Sequence, residues 1–399
     1  MDKQLIQKAL SDLKEGKLVV IADDENRENE GDLVCACENV TGETVNFMAK
    51  YARGLICMPV SIAIADKLGL KPMVKQNTDN HETAFTVSID HVSTTTGISA
   101  DERATTARMC ASDDCLPSDF RRPGHLFPLV ARKGGVIKRQ GHTEATVDLL
   151  KLAGLKECGL CCEIMKEDGT MMRGEDLKKF AKDNDLTFIT VSDLVKYRKL
   201  YDKLVECISV ADMPTRYGKF KIHCYINKLN GEHHVALVMG DISDGNDVLC
   251  RLHSECLTGD VFGSMRCDCG QQLDKAMRMI ANNGRGVLLY MRQEGRGIGL
   301  VNKIRAYTLQ DEGADTLDAN IALGFPADMR EYYTGAQILH DLGIRSVELM
   351  TNNPDKVQQL LNYGVKVTQR VPIEIEANLF DAFYLQTKKK RMGHILTIS

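Results

Sequence analysis

The sequence predicts a mixed α/β (α+β) protein of two fused domains, each a mixed sheet packed with helices. Its 399 residues exceed one ordinary domain, because single cores stop growing at about 250–300 residues. Short apolar runs typical of strands alternate with amphipathic runs typical of helices. Polar motifs gather in two regions, one rich in oxygen ligands and one rich in sulfur ligands. We therefore predict domains at 1–204 and 205–399, joined by a short segment.

Composition and charge exclude several broad classes of protein. The chain is 43% hydrophobic and 27% charged, and its net charge of -4 gives no general attraction to nucleic acid or anionic membranes. The sequence has no run of about 18 apolar residues, so we predict no membrane-spanning helix. Its 14 cysteines occur without secretory features, which favours reduced thiols and a cytoplasmic location. The basic run Lys388–Arg391 is interpreted as a solvated face.

The first domain begins with a predicted helix and then alternates strands and helices. Leu5, Ile6 and Ala9 begin an apolar stripe at helical spacing, and Gly16 is a typical helix stop. Apolar and β-branched runs predict the strands. The predicted elements are a helix at 3–15, strands at 17–22, 55–60, 83–89, 159–165 and 187–191, and helices at 174–185 and 192–205.

The loop at 23–32 contains six carboxylates in ten residues, which repel one another unless a cation is present. Oxygen ligands with one arginine among them suit Mg²⁺ together with a phosphorylated substrate. A calcium-binding EF-hand is excluded, because placing Gly31 at loop position six puts Cys37 at position twelve, where that loop requires glutamate. A solvated acidic turn is the alternative for this run taken alone.

Three further runs of this domain combine polar groups in patterns typical of binding sites. Residues 93–106 form a hydroxyl-rich glycine turn that enters a helix, which suits a phosphate at the helix N-terminus. Residues 121–125 and 139–144 each set a histidine beside glycine and basic residues, and the second run opens an amphipathic helix. Glu163 lies in an apolar strand, where a charge is costly unless it is paired or takes part in chemistry.

Five motifs, in order over roughly residues 5–200, resemble those of the 3,4-dihydroxy-2-butanone 4-phosphate synthases. They read DDENRENEGD, TTTGISADERATT, RPGHLFPL, RQGHTEATVDLL and CEIMKEDGTM. The resemblance implies conversion of D-ribulose 5-phosphate to 3,4-dihydroxy-2-butanone 4-phosphate and formate, with Mg²⁺ or Mn²⁺. It also implies a homodimer whose active site lies at the subunit interface.

The same resemblance implies a role for each site residue of the first domain. Glu28 and His142 would bind the metal ion, and His125 and Glu163 would carry the chemistry. Cys57 would lie near the substrate. The residues that would bind ribulose 5-phosphate are Arg27, Glu28, Asp32, Arg139, Gln140, Gly141, His142, Thr143 and Glu163.

The stretch Ser254–Gly270 of the second domain contains three cysteines that can close around one tetrahedral ion. Cys267 and Cys269 flank a single residue, and Cys256 lies upstream of them. Soft sulfur ligands favour Zn²⁺. Cys250 is out of reach, because six extended residues span roughly 20 Å. We therefore predict three thiolates and an open position for water, which is a hydrolytic rather than a structural zinc site; buried free cysteines are the alternative.

Strand and helix patterns continue through the second domain and place further polar motifs at element ends. The predicted strands are at 219–226, 234–240, 247–253 and 286–291, with helices at 271–282 and up to Gln310. The run 292–300 is a glycine-rich turn between a strand and a helix, and its two arginines suggest a polyphosphate. Residues 315–320, 325–332 and 351–356 lie at element ends, where α/β proteins bind ligands.

Motifs over about residues 208–395 resemble those of GTP cyclohydrolase II. They read RLHSECLTGDVFGSMRCDCGQQL, AYTLQDEGADT and LMTNNPDK. The resemblance implies hydrolysis of GTP to 2,5-diamino-6-ribosylamino-pyrimidinone 5'-phosphate, formate and diphosphate. Zn²⁺ would be bound by Cys256, Cys267 and Cys269, and Mg²⁺ would accompany GTP. The order of the two halves resembles the bifunctional enzymes of riboflavin biosynthesis.

This second resemblance also implies individual roles. Asp328 would accept a proton and Arg330 would be the nucleophile, although a guanidinium is essentially always protonated and more easily stabilises phosphate charge. Tyr307 lies in a motif near the zinc water. The residues that would bind GTP are Arg251, Leu252, His253, Ser254, Glu255, Gln272, Glu294, Gly295, Arg296, Thr316, Thr351 and Lys356.

Two other interpretations remain open at this point. In one, only one half is active and the other is a structural dimerisation domain. In the other, the chain is a zinc-containing nucleic-acid or regulatory binding protein. The acidic balance and the lack of basic runs interleaved with aromatic residues count against the last of these.

Overall fold

The computed structural model describes residues 3–397 of the chain. They form two compact units, the first ending at Tyr201 and the second beginning at Asp202. Each unit is built on a seven-stranded mixed sheet with helices packed against it, so the predicted fold class is confirmed. Within the described residues, no helix is both long enough and apolar enough to cross a membrane.

The sheet of the first unit is mixed because its strands pair in both directions. Its strands are β1 Val19–Ala22, β2 Gly31–Ala36, β3 Cys57–Val60, β4 Ile89–His91, β5 Phe120–Val130, β6 Gly159–Glu163 and β7 Thr187–Thr190. Their order across the sheet is β4-β5-β3-β6-β2-β1-β7. β3 runs parallel to β5, and β1 runs parallel to β7, whereas β2 runs antiparallel to both β1 and β6.

Helices cover both faces of this sheet. They are α1 Lys3–Lys14, α2 Gly42–Phe47, α3 Ile62–Lys67, α4 Ala100–Ala111, α5 His142–Ala153, α6 Gly174–Asp183 and α7 Val191–Tyr201. One apolar core includes residues of α2, α3, α4 and α6, and a second core includes residues of α1, α5 and α7. Every residue of α5 from His142 to Leu150 is buried. That burial fixes the helix that begins at His142 against the sheet.

The strand predicted at 83–89 is wrong, because this segment does not join one ladder. Thr86 donates its backbone N–H to Pro128, whereas Val87 donates to Lys71, so consecutive residues bond to different segments. The sequence reasoning also missed β2 and β5. β5 contains two prolines and a glycine, which weaken a strand pattern. The helix predicted at 192–205 ends at Tyr201.

The second unit has a sheet that is parallel on one side and antiparallel on the other. Its strands are β8 Val205–Thr215, β9 Gly218–Asn227, β10 His233–Met239, β11 Val248–Ser254, β12 Gly286–Met291, β13 Ser346–Met350 and β14 Lys366–Val371. Their order is β14-β13-β11-β12-β10-β9-β8. The strands from β14 to β12 pair in parallel, and those from β12 to β8 pair antiparallel. The sequence reasoning missed β8, β13 and β14.

Helices of the second unit again pack on both faces of the sheet. They are α8 Leu257–Asp260, α9 Cys269–Asn283, α10 Gly299–Asp311, α11 Thr316–Ala322, α12 Tyr333–Asp341, α13 Pro354–Asn362 and α14 Ala382–Arg391. One core includes residues of α12 and α13, and the other includes residues of α9. The parallel strands β11, β12 and β13 end at the same edge of the sheet, at Ser254, Met291 and Met350, with β13 ending short of the other two. That edge is where α/β sheets place ligands.

Candidate active sites

The first site is a group of potential metal ligands at the start of α5. One ligand atom from each of Asp23, Glu28 and His142 lies within 4.8 Å of the others. His142 Nδ1 is 3.7 Å from Glu28 Oε2 and 3.6 Å from Asp32 Oδ1. The structure therefore brings together the two residues predicted to bind a metal, and it adds Asp23, which the sequence reasoning did not assign.

Burial and charge set the protonation of this group. Burial alone would lower the pKa of His142, but Asp32 and Glu28 beside it raise that pKa to about 9. The neighbouring His142, 3.7 Å away, and Arg27 act against burial and lower the pKa of Glu28 to about 2. Burial raises the pKa of Asp32. Asp32 Oδ1 and His142 Nε2 are buried without hydrogen-bond partners, as atoms that await a cation or a substrate would be.

Asp23 organises the acidic loop. Its Oδ1 accepts the backbone N–H of Glu30 at 2.9 Å, and its Oδ2 accepts from Arg27 Nη1 at 2.8 Å. Arg27 Nη2 also pairs with Glu28 Oε1 at 2.8 Å. These bonds turn Glu28 toward α5, whereas Glu25 is exposed. The six carboxylates of the loop therefore do not all converge on one point.

The start of α5 is an anion-binding arrangement. Gly141 is the N-cap and has no side chain to cap the free N–H groups. A Cβ at Gly141 would collide with Arg139 Nη1 and would lie 3.1 Å from Arg27 Nη2, so glycine permits both guanidinium groups to approach. Arg139 Nη1 is held at 2.7 Å from Glu144 Oε2. Free helix N–H groups beside two guanidinium groups suit a phosphate.

Three other predicted residues lie around this arrangement. Thr143 is buried in the first turn of α5, and Gln140 is exposed just before it. Cys57 is buried in β3. Burial and the nearby Glu163 carboxylate raise the pKa of Cys57, so this thiol is neutral.

Glu163 and Asp32 face each other directly across β6 and β2. Glu163 Oε2 accepts the backbone N–H of Leu55 at 2.9 Å. A Cβ at Gly54 would collide with the Glu163 carboxylate, so glycine lets that carboxylate fold against the chain. Burial and the neighbouring Asp32 raise the pKa of Glu163. A buried and a half-buried carboxylate in this arrangement favour a shared proton or a nearby cation.

His125 is not part of the metal-ligand group. His125 Nδ1 is 2.8 Å from Asp90 Oδ2, and the His125 backbone N–H donates to Asp90 Oδ1 at 2.9 Å. Gly97, with φ of 86°, leaves space for Asp90, because a Cβ at Gly97 would collide with that carboxylate. Asp90 therefore fixes the orientation of the imidazole. The sequence reasoning missed Asp90, for which the signal was a carboxylate within an apolar run.

His125 and Glu163 nevertheless lie toward the same end of the sheet. Phe127 of β5 and Cys161 of β6 both pair with Cys57 of β3, the strand between them. His125 precedes Phe127 by two residues, in the stretch where β5 bulges out of its pairing with β4, and Glu163 follows Cys161 by two. Because β5 is parallel and β6 antiparallel to β3, both steps lead to one end.

The hydroxyl-rich turn predicted to hold a phosphate is filled by a carboxylate of the same chain. Glu102, in the first turn of α4, accepts from Thr95 Oγ1 at 2.7 Å and from the backbone N–H of Gly97 at 2.9 Å. Thr96 and Ser99 donate to the same carboxylate at 3.2 Å. The bonds from Thr95 and Gly97 lower the pKa of Glu102 to about 2. The turn is an anion cradle, and the anion that it holds is Glu102.

The second site is the group of three cysteines. The Sγ atoms of Cys256, Cys267 and Cys269 all lie within 4.8 Å of one another. A Cβ at Gly259 would lie 3.0 Å from Cys267 Sγ, so glycine lets the backbone pass close to the sulfur atoms. Hydrogen bonds from the other two cysteines lower the pKa of Cys256. Cys250 lies apart from the group, in an apolar core, as the spacing predicts.

A cavity of about 140 Å³ adjoins the three cysteines. It lies at the edge where the parallel strands end. Leu252 does not line the cavity, although its carbonyl accepts from Lys356 Nζ at 3.0 Å. The predicted GTP ligands that do line it are Arg251, His253, Ser254, Glu255, Gln272, Glu294, Gly295, Arg296, Thr316, Thr351 and Lys356.

Cationic side chains outnumber carboxylates in the cavity wall. The carboxylates are Glu255 and Glu294, whereas the cations are Arg251, Arg266, Arg296, Lys303, Arg330, Lys356 and Lys388. Both terminal nitrogens of Arg296 are buried without a hydrogen-bond partner. Burial, together with Arg251 and Arg330, holds the pKa of Lys356 well below its usual range. An excess of buried positive charge with unpartnered donors suits a polyphosphate.

Arg330 lines the cavity, whereas Asp328, the predicted proton acceptor, does not. Arg330 Nε donates to Asp328 Oδ1 at 2.9 Å. Burial alone would raise the pKa of Asp328, but Arg330 lowers it, so the carboxyl is ionised. Burial alone would lower the pKa of Arg330, but Tyr332 and Asp328 raise it. A guanidinium held in its charged form is better suited to stabilise negative charge than to act as a nucleophile.

The interpretation of Lys388–Arg391 as a solvated face is wrong for Lys388. Lys388 is buried, lines the cavity and donates to Asp268 Oδ1 at 2.7 Å. Asp268 also accepts from Gln272, which in turn accepts from Arg251. A run of four basic residues surrounds a helix on all sides, so its composition does not reveal which residue faces inward.

The fold and the two sites define a two-domain enzyme with one site in each unit. The 3,4-dihydroxy-2-butanone 4-phosphate synthase family matches residues 7–197, and the GTP cyclohydrolase II family matches residues 206–372. The riboflavin biosynthesis proteins RibBA of Bacillus mycoides (strain KBAB4) and Bacillus cytotoxicus are 56% and 54% identical to this chain over 393 residues. Each match covers 98% of this chain and 99% of the relative. The chain therefore belongs to the family of bifunctional riboflavin biosynthesis proteins.

A solved structure matches the chain across most of its length. The crystal structure of RibBX, a two-domain 3,4-dihydroxy-2-butanone 4-phosphate synthase from A. baumannii, matches with a TM-score of 0.66 and 33% identity. The match covers 91% of this chain and 99% of that chain. The predictions of family and of a bifunctional lyase and hydrolase of riboflavin biosynthesis are confirmed.

Proposed function

We propose that the first unit binds D-ribulose 5-phosphate at the start of α5 and releases 3,4-dihydroxy-2-butanone 4-phosphate and formate there. The observation that carries the proposal is the meeting of Glu28 and His142 beside the anion-binding turn at Gly141. A metal-ligand pair next to a phosphate cradle suits a substrate that carries a hydroxyketone and a phosphate. Arg27 and Arg139 would hold the phosphate.

The residues present fit Mg²⁺ or Mn²⁺, because carboxylate oxygens and one imidazole converge and His142 Nε2 lacks a partner. Glu28 and His142 would hold the ion, with Asp23 as a further candidate ligand. When bound, the ion would polarise the hydroxyketone and make the neighbouring C–H more acidic. Glu163, whose pKa is raised by burial and by Asp32, can hold or give up a proton at Oε1 or Oε2.

His125 supplies the second proton-transfer group in this proposal. Asp90 engages its Nδ1, which leaves Nε2 to face the substrate. The His125 side chain is 43% exposed, and it lies apart from the metal-ligand group. A homodimer with this site at the subunit interface would cover the His125 side chain. Sedimentation of the full chain, which would give twice the monomer mass, tests this assembly.

Replacing Asp90 by asparagine is expected to lower kcat for formate release from ribulose 5-phosphate. A positioned general acid or base contributes about 10²- to 10⁴-fold, and the amide no longer selects the correct imidazole tautomer. The ¹⁵N resonances of His125 should report the changed tautomer while KM changes less than kcat. Asp66→Asn is the matched control, because Asp66 is exposed. An unaltered tautomer with unaltered kcat would remove Asp90 from the mechanism.

We propose that the second unit hydrolyses GTP to a diaminopyrimidinone ribosyl phosphate, formate and diphosphate. The observation that carries this proposal is the cationic cavity that adjoins three convergent thiol groups. The three sulfur atoms fit Zn²⁺, and Gly259 leaves space beside them. When bound, zinc would activate water for attack on the carbon between two ring nitrogens. Mg²⁺ would accompany the triphosphate.

The side chains of the cavity divide between phosphate and base. Arg296, Arg330 and Lys356 would bind the triphosphate, whose negative charge would hold Lys356 in its protonated form against the burial that lowers its pKa. Of the two carboxylates in the cavity wall, Glu255 would accept from amino groups of a purine, because both oxygens of Glu294 already accept from protein N–H groups. Stabilisation of charge on the leaving diphosphate is the role that the Asp328–Arg330 pair supports for Arg330.

Replacing Arg296 by glutamine is expected to raise KM for GTP by about 10- to 100-fold, because a charged hydrogen bond contributes about 1.5–3 kcal/mol. Arg296 has φ of 61°, so the turn holds this cation in a left-handed conformation that a non-glycine residue seldom adopts. Initial rates with GTP, and with a nucleoside monophosphate as competitor, test the role. Arg305→Gln is the control, because Arg305 is exposed on α10. Equal KM values would show that Arg296 does not contact the phosphates.

Activity of only one half is the alternative, and two assays distinguish it from the proposal. One assay measures formate from ribulose 5-phosphate with Mg²⁺, and the other measures formate and diphosphate from GTP with zinc-loaded protein. Intact acidic, histidine and cysteine ligands in both units favour activity in both. Absence of turnover in one assay, with the other active, would support a structural role for the silent half.

A further inference from the structure

Lys303 of α10 lies between the three cysteines and Glu294. Its Nζ is 3.1 Å from Cys256 Sγ, 3.0 Å from Thr258 Oγ1 and 2.7 Å from Glu294 Oε1. An ammonium group has three donors, so all three are engaged by protein atoms. The residue is 9% exposed. Lys303 is therefore held in one position rather than free to bind phosphate as a mobile cation.

Glu294 contacts both Lys303 and the backbone next to Cys256. Its Oε2 accepts at 2.6 Å from the backbone N–H of Leu257, the residue that follows Cys256. Its Oε1 accepts at 2.9 Å from the backbone N–H of Gly295. A Cβ at Gly295 would lie 3.0 Å from Lys303 Cβ, so the turn packs directly on the lysine. Cys256, Lys303 and Glu294 thus fix one another's positions.

The charges explain why a lysine stands at this point. Three thiolates around one divalent cation sum to a formal charge of minus one, and the Glu294 carboxylate adds another negative charge. Lys303 contacts an anionic group on each side. A charged N–H donor draws electron density from a thiolate sulfur, so the sulfur donates less to a bound ion. The ion then keeps more of its Lewis acidity.

We propose that Lys303 is a positioning residue of the second site. Its ammonium group holds the Cys256 thiolate and the Glu294 carboxylate in a fixed arrangement and withdraws charge from the sulfur, so that the bound ion stays an effective Lewis acid toward GTP. The inference rests on the function proposed for the second unit and assigns to Lys303 the electronic tuning of its metal centre.

The test compares the full chain with Lys303→Met and Lys303→Arg, each loaded with Zn²⁺ for kinetics and with Co²⁺ for spectra. Lys303→Met should retain one metal ion per chain, and its thiolate-to-cobalt charge-transfer band should move to longer wavelength as the sulfur loses its N–H donor. Its kcat for GTP should fall by about 10- to 100-fold, the usual effect of removing an outer-shell partner. Lys303→Arg should restore much of the wild-type band position and much of the wild-type kcat. Lys275→Met, on the exposed side of α9, should behave as the wild type.

Formate release from ribulose 5-phosphate in every variant reports that the first unit has folded, and retention of one metal ion per chain reports that the second unit has folded. An unshifted cobalt band in Lys303→Met would overturn the proposal, and so would loss of the metal, because the lysine would then be structural. The wild-type protein tests the parent function separately: if it binds no zinc or does not hydrolyse GTP, the proposed function itself fails.

Discussion

Replacing Cys267 by serine is expected to abolish the release of formate and diphosphate from GTP and to leave the purified protein without stoichiometric zinc. Cys267 Sγ lies 3.7 Å from Cys256 Sγ within a group of only three sulfur ligands. A serine hydroxyl does not ionise near neutral pH and is a poor ligand for a soft ion, so two thiolates remain where zinc needs at least three protein ligands. Metal analysis beside the GTP assay measures both effects.

Two comparisons make this result specific. Cys224→Ser changes a half-buried cysteine of the same unit that lies outside the ligand group, and it should keep both zinc and activity. Formate release from ribulose 5-phosphate should be unchanged in both variants. Full zinc content in Cys267→Ser would contradict the three-sulfur centre. Loss of both activities in a folded protein would contradict the independence of the two sites.

Replacing Glu28 by glutamine is expected to abolish formate release from ribulose 5-phosphate and to spare GTP hydrolysis. The Glu28 carboxylate pairs with Arg27 at 2.8 Å and lies 3.7 Å from His142 Nδ1. Its pKa of about 2 means that it is ionised at all working pH values. A neutral amide neither compensates a divalent cation nor holds these two cationic groups. Mn²⁺ binding, followed by electron paramagnetic resonance, should weaken in parallel with activity.

Glu25→Gln is the matched control for this prediction. Glu25 belongs to the same acidic loop but is exposed, so its replacement should leave Mn²⁺ binding and turnover unchanged. Equal losses in the two variants would indicate that the loop acts through its total charge. Tight Mn²⁺ binding in Glu28→Gln would instead show that Asp23 and His142 suffice as ligands.

Features encoded within a few neighbouring residues could be predicted from the sequence. The spacing of Cys256, Cys267 and Cys269 is local, and chemistry restricts what three close thiols can bind. The acidic loop at 23–32 is likewise recognisable in the sequence from its density of carboxylates. The structure adds which of its carboxylates is used: Glu28 faces His142 because Asp23 ties the loop together, and that tie depends on the fold of the loop.

Features that depend on distant partners could not be predicted. Asp90 and His125 are in contact because β4 and β5 are neighbouring strands. The prolines in β5 weaken the sequence pattern that would predict a strand there. Lys388 contacts Asp268 across 120 residues of sequence. Neither position carries a local signal of its partner, because polar pairing between distant segments is set by topology rather than by periodicity.

The division of the chain into two units, each with its own sheet and apolar cores, has a consequence for supply. One polypeptide delivers one copy of each active site, so protein synthesis cannot adjust the ratio of the two. If the cell consumes the two products in unequal amounts, the balance must be struck through turnover numbers, substrate levels or inhibition at one site. The relative kcat values of the two halves therefore set the ratio of the two activities, which separate genes would set through their expression levels.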